Sequence, residues 1–242
     1  MVRYRVRLRF QKDGDLRFLG HRDLMNYLLR LLKVAKIKVA NSQGFHPKPK
    51  VSFPSALPLG VEGFNEIMEL ETAIEYNAVE LQDSLNACSA NGLRFHSAEN
   101  LPETGRKKPR PVSYTWRFPI PSGKRKEVQE LAAKIQSGEL GCENKDVKSA
   151  VLEMSVVTQF SSVEFENIDN SRENPSSEDD EPLIKEDFLR FTLLADENQG
   201  AVTYKDILAL TRLTPVPETA GPAAGLTPML RGAREEVTLG MA

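Results

Sequence analysis

The residues best equipped for chemistry stand near the start of the chain. In Arg3 to Phe10, RYRVRLRF, arginines at 3, 5, 7 and 9 alternate with Tyr4, Val6, Leu8 and Phe10. A period of two predicts a half-buried strand with one apolar and one cationic face. Four guanidiniums in a row, each able to grip a phosphate through two N–H donors, would line a nucleic-acid groove; the plainer outcome is a solvated sheet face. The second such stretch is Asn41 to Gly60, NSQGFHPKPKVSFPSALPLG, which holds four of the chain's fifteen prolines. Each proline fixes its own φ and lacks a backbone donor, so the segment is stiff and resists helix. Lys48 and Lys50 would extend the cationic surface, and Phe45 or Phe53 would stack on a base. The expected RNA-binding set is Arg3, Arg5, Arg7, Arg9, Gln43, Phe45, His46, Lys48 and Lys50, with Ser42 and Gly44 supporting the loop. The structural alternative for the loop is a well-packed connection.

Few routes to catalysis are open. The chain has three histidines and two cysteines, Cys88 and Cys142, and it lacks the GxSxG, GxGxxG, GxxxxGK and HExxH patterns. His46 is the candidate general acid or base, against the plainer role of a loop hydrogen-bonding or stacking residue. Cys88 and Cys142 lie far apart without CxxC spacing, so no disulfide framework or metal site is expected, and no cofactor. Charged residues interrupt the N-terminus, and no long uncharged apolar run occurs, so a cytoplasmic protein without a membrane span is expected.

The formal net charge of -2 conceals an asymmetry. Residues 1–60 hold thirteen Lys or Arg against Asp13, Asp15 and Asp23, and Arg106 to Lys126 adds eight cations with no carboxylate. Glu164 to Asp187 then holds ten acids against Arg172 and Lys185. Basic surface followed by an acidic tract points to a polyanionic partner, although charge runs are commonly only solvated faces. The tract is also placed to fold back on the basic strand when no partner is bound.

The elements that must position these residues follow from periodicity. After the first strand and an Asp13-Gly14-Asp15 turn, Leu24, Leu28, Leu31, Leu32 and Ala35 predict an amphipathic helix over 21–36, with His21 and Asp23 at its cap. Short strands are expected at 37–40 and 50–53, a longer one at 65–74, a helix over 77–90 with Val79, Leu81, Leu85 and Cys88 inward, and a strand from Leu93 to His96. That order is βαββαβ, the ferredoxin-like pattern. Beyond the breaker-rich basic linker come a strand at 114–120, a helix over 124–136, strands within 150–165 and at 188–195, and a short helix from Tyr204 to Leu210. The fold class is therefore α+β: two ferredoxin-like halves, the second degenerate, with antiparallel sheets and helices on one face. The expected boundaries are a domain over 1–101, a linker over 102–112, a second domain over 113–213 with an acidic disordered insertion at 167–181, and a flexible tail over 214–242.

With the proline-rich segment and its preceding helix read, the chain resembles the radical-SAM-linked proteins of unknown function, fused to or encoded beside B12-binding-domain radical SAM enzymes. The matching residues are RVRLRFQKDGDLRFLGHRDL, SQGFHPKPKVSFPSALPLGVEG and NEIMELE, within about the first 75 residues. Gly20 stands where the family usually has serine, and His46 where asparagine is common. The resemblance implies an accessory to a radical enzyme, with RNA modification as a setting; without a three-cysteine cluster motif the chain is not the radical enzyme itself. Three functions follow as expectations: binding of transfer or ribosomal RNA through the basic strand and loop, docking onto a radical SAM protein without RNA contact, or hydrolysis or RNA cleavage using His46.

Overall fold

The alternation in RYRVRLRF produces its strand. In the computed structural model, which describes residues 3–102, 110–162, 183–195, 201–213 and 232–239, β1 runs from Tyr4 to Lys12, with Val6, Leu8 and Phe10 buried and Arg5, Arg7 and Arg9 on the opposite face. A 3-10 turn, Gly14–Phe18, leads into α1, His21–Val34, which buries Leu24, Leu28, Leu31 and Leu32 at the predicted spacing. Then follow β2 (Val51–Ser52), β3 (Glu62–Thr72), α2 (Ala78–Cys88) and β4 (Leu93–Leu101). The second half contains β5 (Pro111–Pro119), α3 (Arg125–Ser137), α4 (Val147–Ala150), β6 (Val151–Ser162), β7 (Leu183–Leu194), α5 (Tyr204–Leu210) and β8 (Ala233–Leu239).

These strands form one mixed, mostly antiparallel sheet in the order β4-β1-β3-β8-β5-β7-β6, with β2 also on β3. Counted within each half, the fourth strand lies beside the first, and the third separates the first from the second. Each half has its own core. Val6, Leu8, Phe10, Met68, Leu70 and Phe95 pack against α1 and α2 in the first; Trp116, Phe118, Leu189 and Phe191 pack against α3 and α5 in the second. The helices' buried residues join the cores on one face of the sheet, leaving a helix-free face among the described residues.

The structure corrects several expectations. The tail over 214–242 contains β8, which lies mid-sheet between β3 and β5; its weak pattern arises because Arg234 fills a buried position and a register shift against β5, between Thr115 and Trp116, breaks the alternation before Val237. The strand expected at 37–40 is a single bridge, Val39 to Thr72, because β2 takes the same edge of β3 at Leu70 and Glu69. In α2, Leu81 and Leu85 are buried but Val79 and Cys88 are exposed; Val79 is about 200° around the helix from Leu81. No side chain caps α1: Gly20 is the N-cap, and His21 instead packs edge-on against Phe53, 5.4 Å between centroids. Asp23 does occupy the first turn, where the helix dipole favours a carboxylate. The acidic insertion at 167–181 and most of the linker, residues 103–109, lie outside the described residues. Among those described, no helix is long and apolar enough to cross a membrane.

Candidate functional site

The proline-rich segment divides into two parts with different environments. Over 41–50 it is a narrow, exposed hairpin. The Ser42 N–H donates to the Lys48 carbonyl at 2.8 Å, the Ser42 Oγ accepts from the Lys48 N–H at 2.9 Å, and Asn41 bridges Pro49. Gly44, at φ +132, turns the chain at the tip, a backbone angle that side-chain-bearing residues rarely adopt. Phe45 at that tip is fully exposed, and Gln43, His46 and Lys48 are exposed beside it. Over 51–61 the segment is instead a packed strap. Phe53 sits on Phe10 and His21 at the first core, while Leu57 and Val61 are buried in the second. Sequence reasoning treated both parts as one loop, and only the first half of it is free to meet a partner.

The arginines of β1 do share one face, and so does Lys50 from the hairpin. Opposite them, β3 supplies carboxylates in register, Arg7 facing Glu69 and Arg5 facing Glu71. Glu69 accepts from Arg5 at 3.2 Å and from Arg7 at 2.8 Å; Glu71 accepts from Arg3 at 3.3 Å and from Lys50 at 2.7 Å. Each carboxylate is therefore shared by two cations. Arg7 also lies 3.8 Å from Glu99 of β4, and Arg9 has no carboxylate partner among the described residues, its Nη1 being buried without a hydrogen bond. Burial by itself would raise the Glu71 carboxyl, but Lys50 and then Arg3, through hydrogen bonds and charge, hold it below the ordinary value. Among the described residues, five cations of this row thus face three carboxylates. Glu69 is the more recessed partner, 7% exposed against 24% and 22% for Arg5 and Arg7, so an incoming anion meets guanidinium first.

His46 makes no hydrogen bond among the described residues, and no group of three or more His, Cys, Asp or Glu there is arranged to hold a metal. Among the described residues, none is placed against it as an acid–base partner. His96, at the bulge between β4 and β1, places Nε2 3.2 Å from the Phe64 carbonyl.

One cluster escaped sequence reasoning. Where β3 meets β8, pairing only Glu62 with Ala233 and Gly63 with Arg234, the side chains of Lys12, Glu66 and Arg234 are buried together. Arg234 grips Glu66 through Nε at 2.8 Å and through Nη2, and its Nη1 donates to Ser55 Oγ at 2.9 Å and to the Ala56 carbonyl at 3.2 Å, fastening the strap. Its guanidinium also lies over Tyr114 and Trp116. Lys12 donates to the carbonyls of Arg17 and Leu19, at 3.4 and 3.2 Å. Burial lowers the Lys12 pKa to about 8, a fall that Glu66 opposes and Arg234 deepens. The available signal was weak: a lysine ending an apolar strand face, and an arginine two residues after Gly232 in a region that reads as tail.

Among curated proteins, none matches this sequence. A family model does, over residues 5–179, which span β1, the hairpin, the strap and most of the sheet. The chain belongs to the family described as an uncharacterized protein conserved in bacteria (DUF2344).

Proposed function

We propose that this protein is an RNA-binding accessory, with the helix-free face of the first half and the 41–50 hairpin as its contact surface. The observation that carries this reading is the two-to-one sharing of Glu69 and Glu71 among Arg3, Arg5, Arg7 and Lys50. The carboxylates orient the cations without cancelling them, and the Lys50–Glu71–Arg3 link ties the hairpin to the end of the arginine row. The strand order within each half supports reading both as ferredoxin-like, a scaffold that presents an open sheet face. The resemblance to radical-SAM-linked proteins supports a setting in RNA modification beside a B12-binding-domain radical SAM enzyme. Anisotropy titrations with transfer RNA and ribosomal RNA fragments at rising salt test the reading. Binding that weakens steeply with salt is expected, and no salt-sensitive binding removes it.

Full exposure of Phe45 favours a second reading, a docking module that inserts this ring into a radical SAM partner. Co-purification that survives nuclease but is lost in Phe45→Ala would select docking over RNA binding.

A further inference from the structure

The shape of the cationic surface restricts which RNA it fits. Arg3, Arg5, Arg7 and Arg9 stand on alternate residues of one strand, so successive guanidiniums are spaced by about 7 Å along a line. Their carboxylate partners come from β3 on one side and β4 on the other, leaving one row of cations. At the Arg3 end, Glu71 joins that row to Lys50, and from there the hairpin carries Lys48, His46 and Phe45 outward with no carboxylate among residues 41–50.

A duplex offers two phosphate rows on a curved surface and keeps its bases stacked inside, so it engages one line of cations at few points and gives an isolated aromatic ring nothing to stack on. An unpaired strand offers one flexible phosphate row and free base faces, which suit a line of cations that ends in an exposed ring.

Resting on the RNA-binding reading, we infer that the surface is a track for single-stranded RNA of about four nucleotides, phosphates along Arg3 to Arg9 and Lys50, and one base stacked on Phe45. The carboxylates act as holders that phosphate displaces. Glu69, bracketed by Arg5 and Arg7, therefore lowers affinity while fixing geometry, and its removal takes one anionic holder from each of two guanidiniums.

The test uses the full chain and two fluorescent probes, a 12-nucleotide oligouridine and a 12-base-pair RNA duplex, compared by anisotropy at low and moderate salt. The expected result is at least roughly tenfold tighter binding of the single strand, a loss of about tenfold on that probe in Phe45→Ala, and a several-fold gain in Glu69→Gln. Phe45 is fully exposed, so its replacement leaves the fold intact and the result readable even if Glu69→Gln perturbs the sheet. Equal or tighter binding of the duplex, or single-strand affinity unchanged in Phe45→Ala, overturns this inference while the broader RNA reading stands. Failure of both probes to bind at low salt overturns both.

Discussion

The two halves of the molecule share a strand order and differ in what their helix-free faces carry. On β1 the outward positions are arginines, half-buried and backed by Glu69 and Glu71. On β5, the corresponding first strand of the second half, Ser113 and Thr115 are buried, and the Thr115 hydroxyl meets that of Thr192 at 3.0 Å. The outward cation there, Arg117, lies over the rings of Phe64 and Phe188 and shares Glu235 with Arg190. The same motif, one carboxylate between two cations, occurs once among the described residues of the second half as a local packing device, whereas in the first it repeats along the strand and is the basis of the proposed track. Shared topology is written in the inward residues, which must fill a core; a binding surface is written in the outward ones, which are free to diverge.

The comparison can be broken hardest at the joint, where the halves depend on one another. Glu66→Gln leaves Arg234 and Lys12 as buried cations without a counter-charge, and a loss of about 3–5 kcal/mol is expected in denaturant unfolding. If the halves are energetically independent, that loss will be absent or confined to one unfolding transition. Gly232→Ala should cost about 1–3 kcal/mol, because an added Cβ would collide with the Phe118 ring; an unchanged melting temperature would show that β8 is loosely held.

Binding separates the halves at smaller energies. Arg5→Ala with Arg7→Ala, which would remove two of the proposed phosphate contacts, should flatten the salt dependence of RNA affinity by about 1.4 in the log–log slope. Thr115→Val with Thr192→Val, on the other half, should leave that slope unchanged. Equal effects from the two pairs would erase the distinction between the two faces.

A further prediction concerns pH. The Lys12 pKa is lowered from 10.5 to about 8 in the folded chain, so between these values the unfolded chain holds more protons. Stability should therefore rise as pH passes from 8 toward 10.5, and Lys12→Met should abolish that rise. A rise of the same size in Lys12→Met would place its origin elsewhere.

Much of the fold was legible in the chain because its surface elements carry one-sided patterns. Arg3 to Phe10 alternates without a break, and the leucines of α1 repeat at helical spacing. What escaped lay where a residue serves two neighbours. Ala233 to Leu239 pairs with β5 along its length and with β3 at Ala233 and Arg234, puts a buried arginine where an apolar residue would mark the core face, and so reads as tail; the strap from Phe53 to Val61 serves both cores with no period of its own. At the site, the arginine row was readable, but its pairing was not. Which carboxylate faces Arg7 depends on the register of β3, 62 residues away in sequence, and no local pattern states it.

The most direct measurement is a map of backbone amide shifts on titrating oligouridine into isotopically labelled protein. Perturbations are expected along Tyr4 to Lys12, the facing residues of β3 and the 41–50 hairpin, with Thr115, Thr192 and Arg190 silent. Shifts concentrated on the second half, or none in β1 at saturating ligand, would contradict the proposed track.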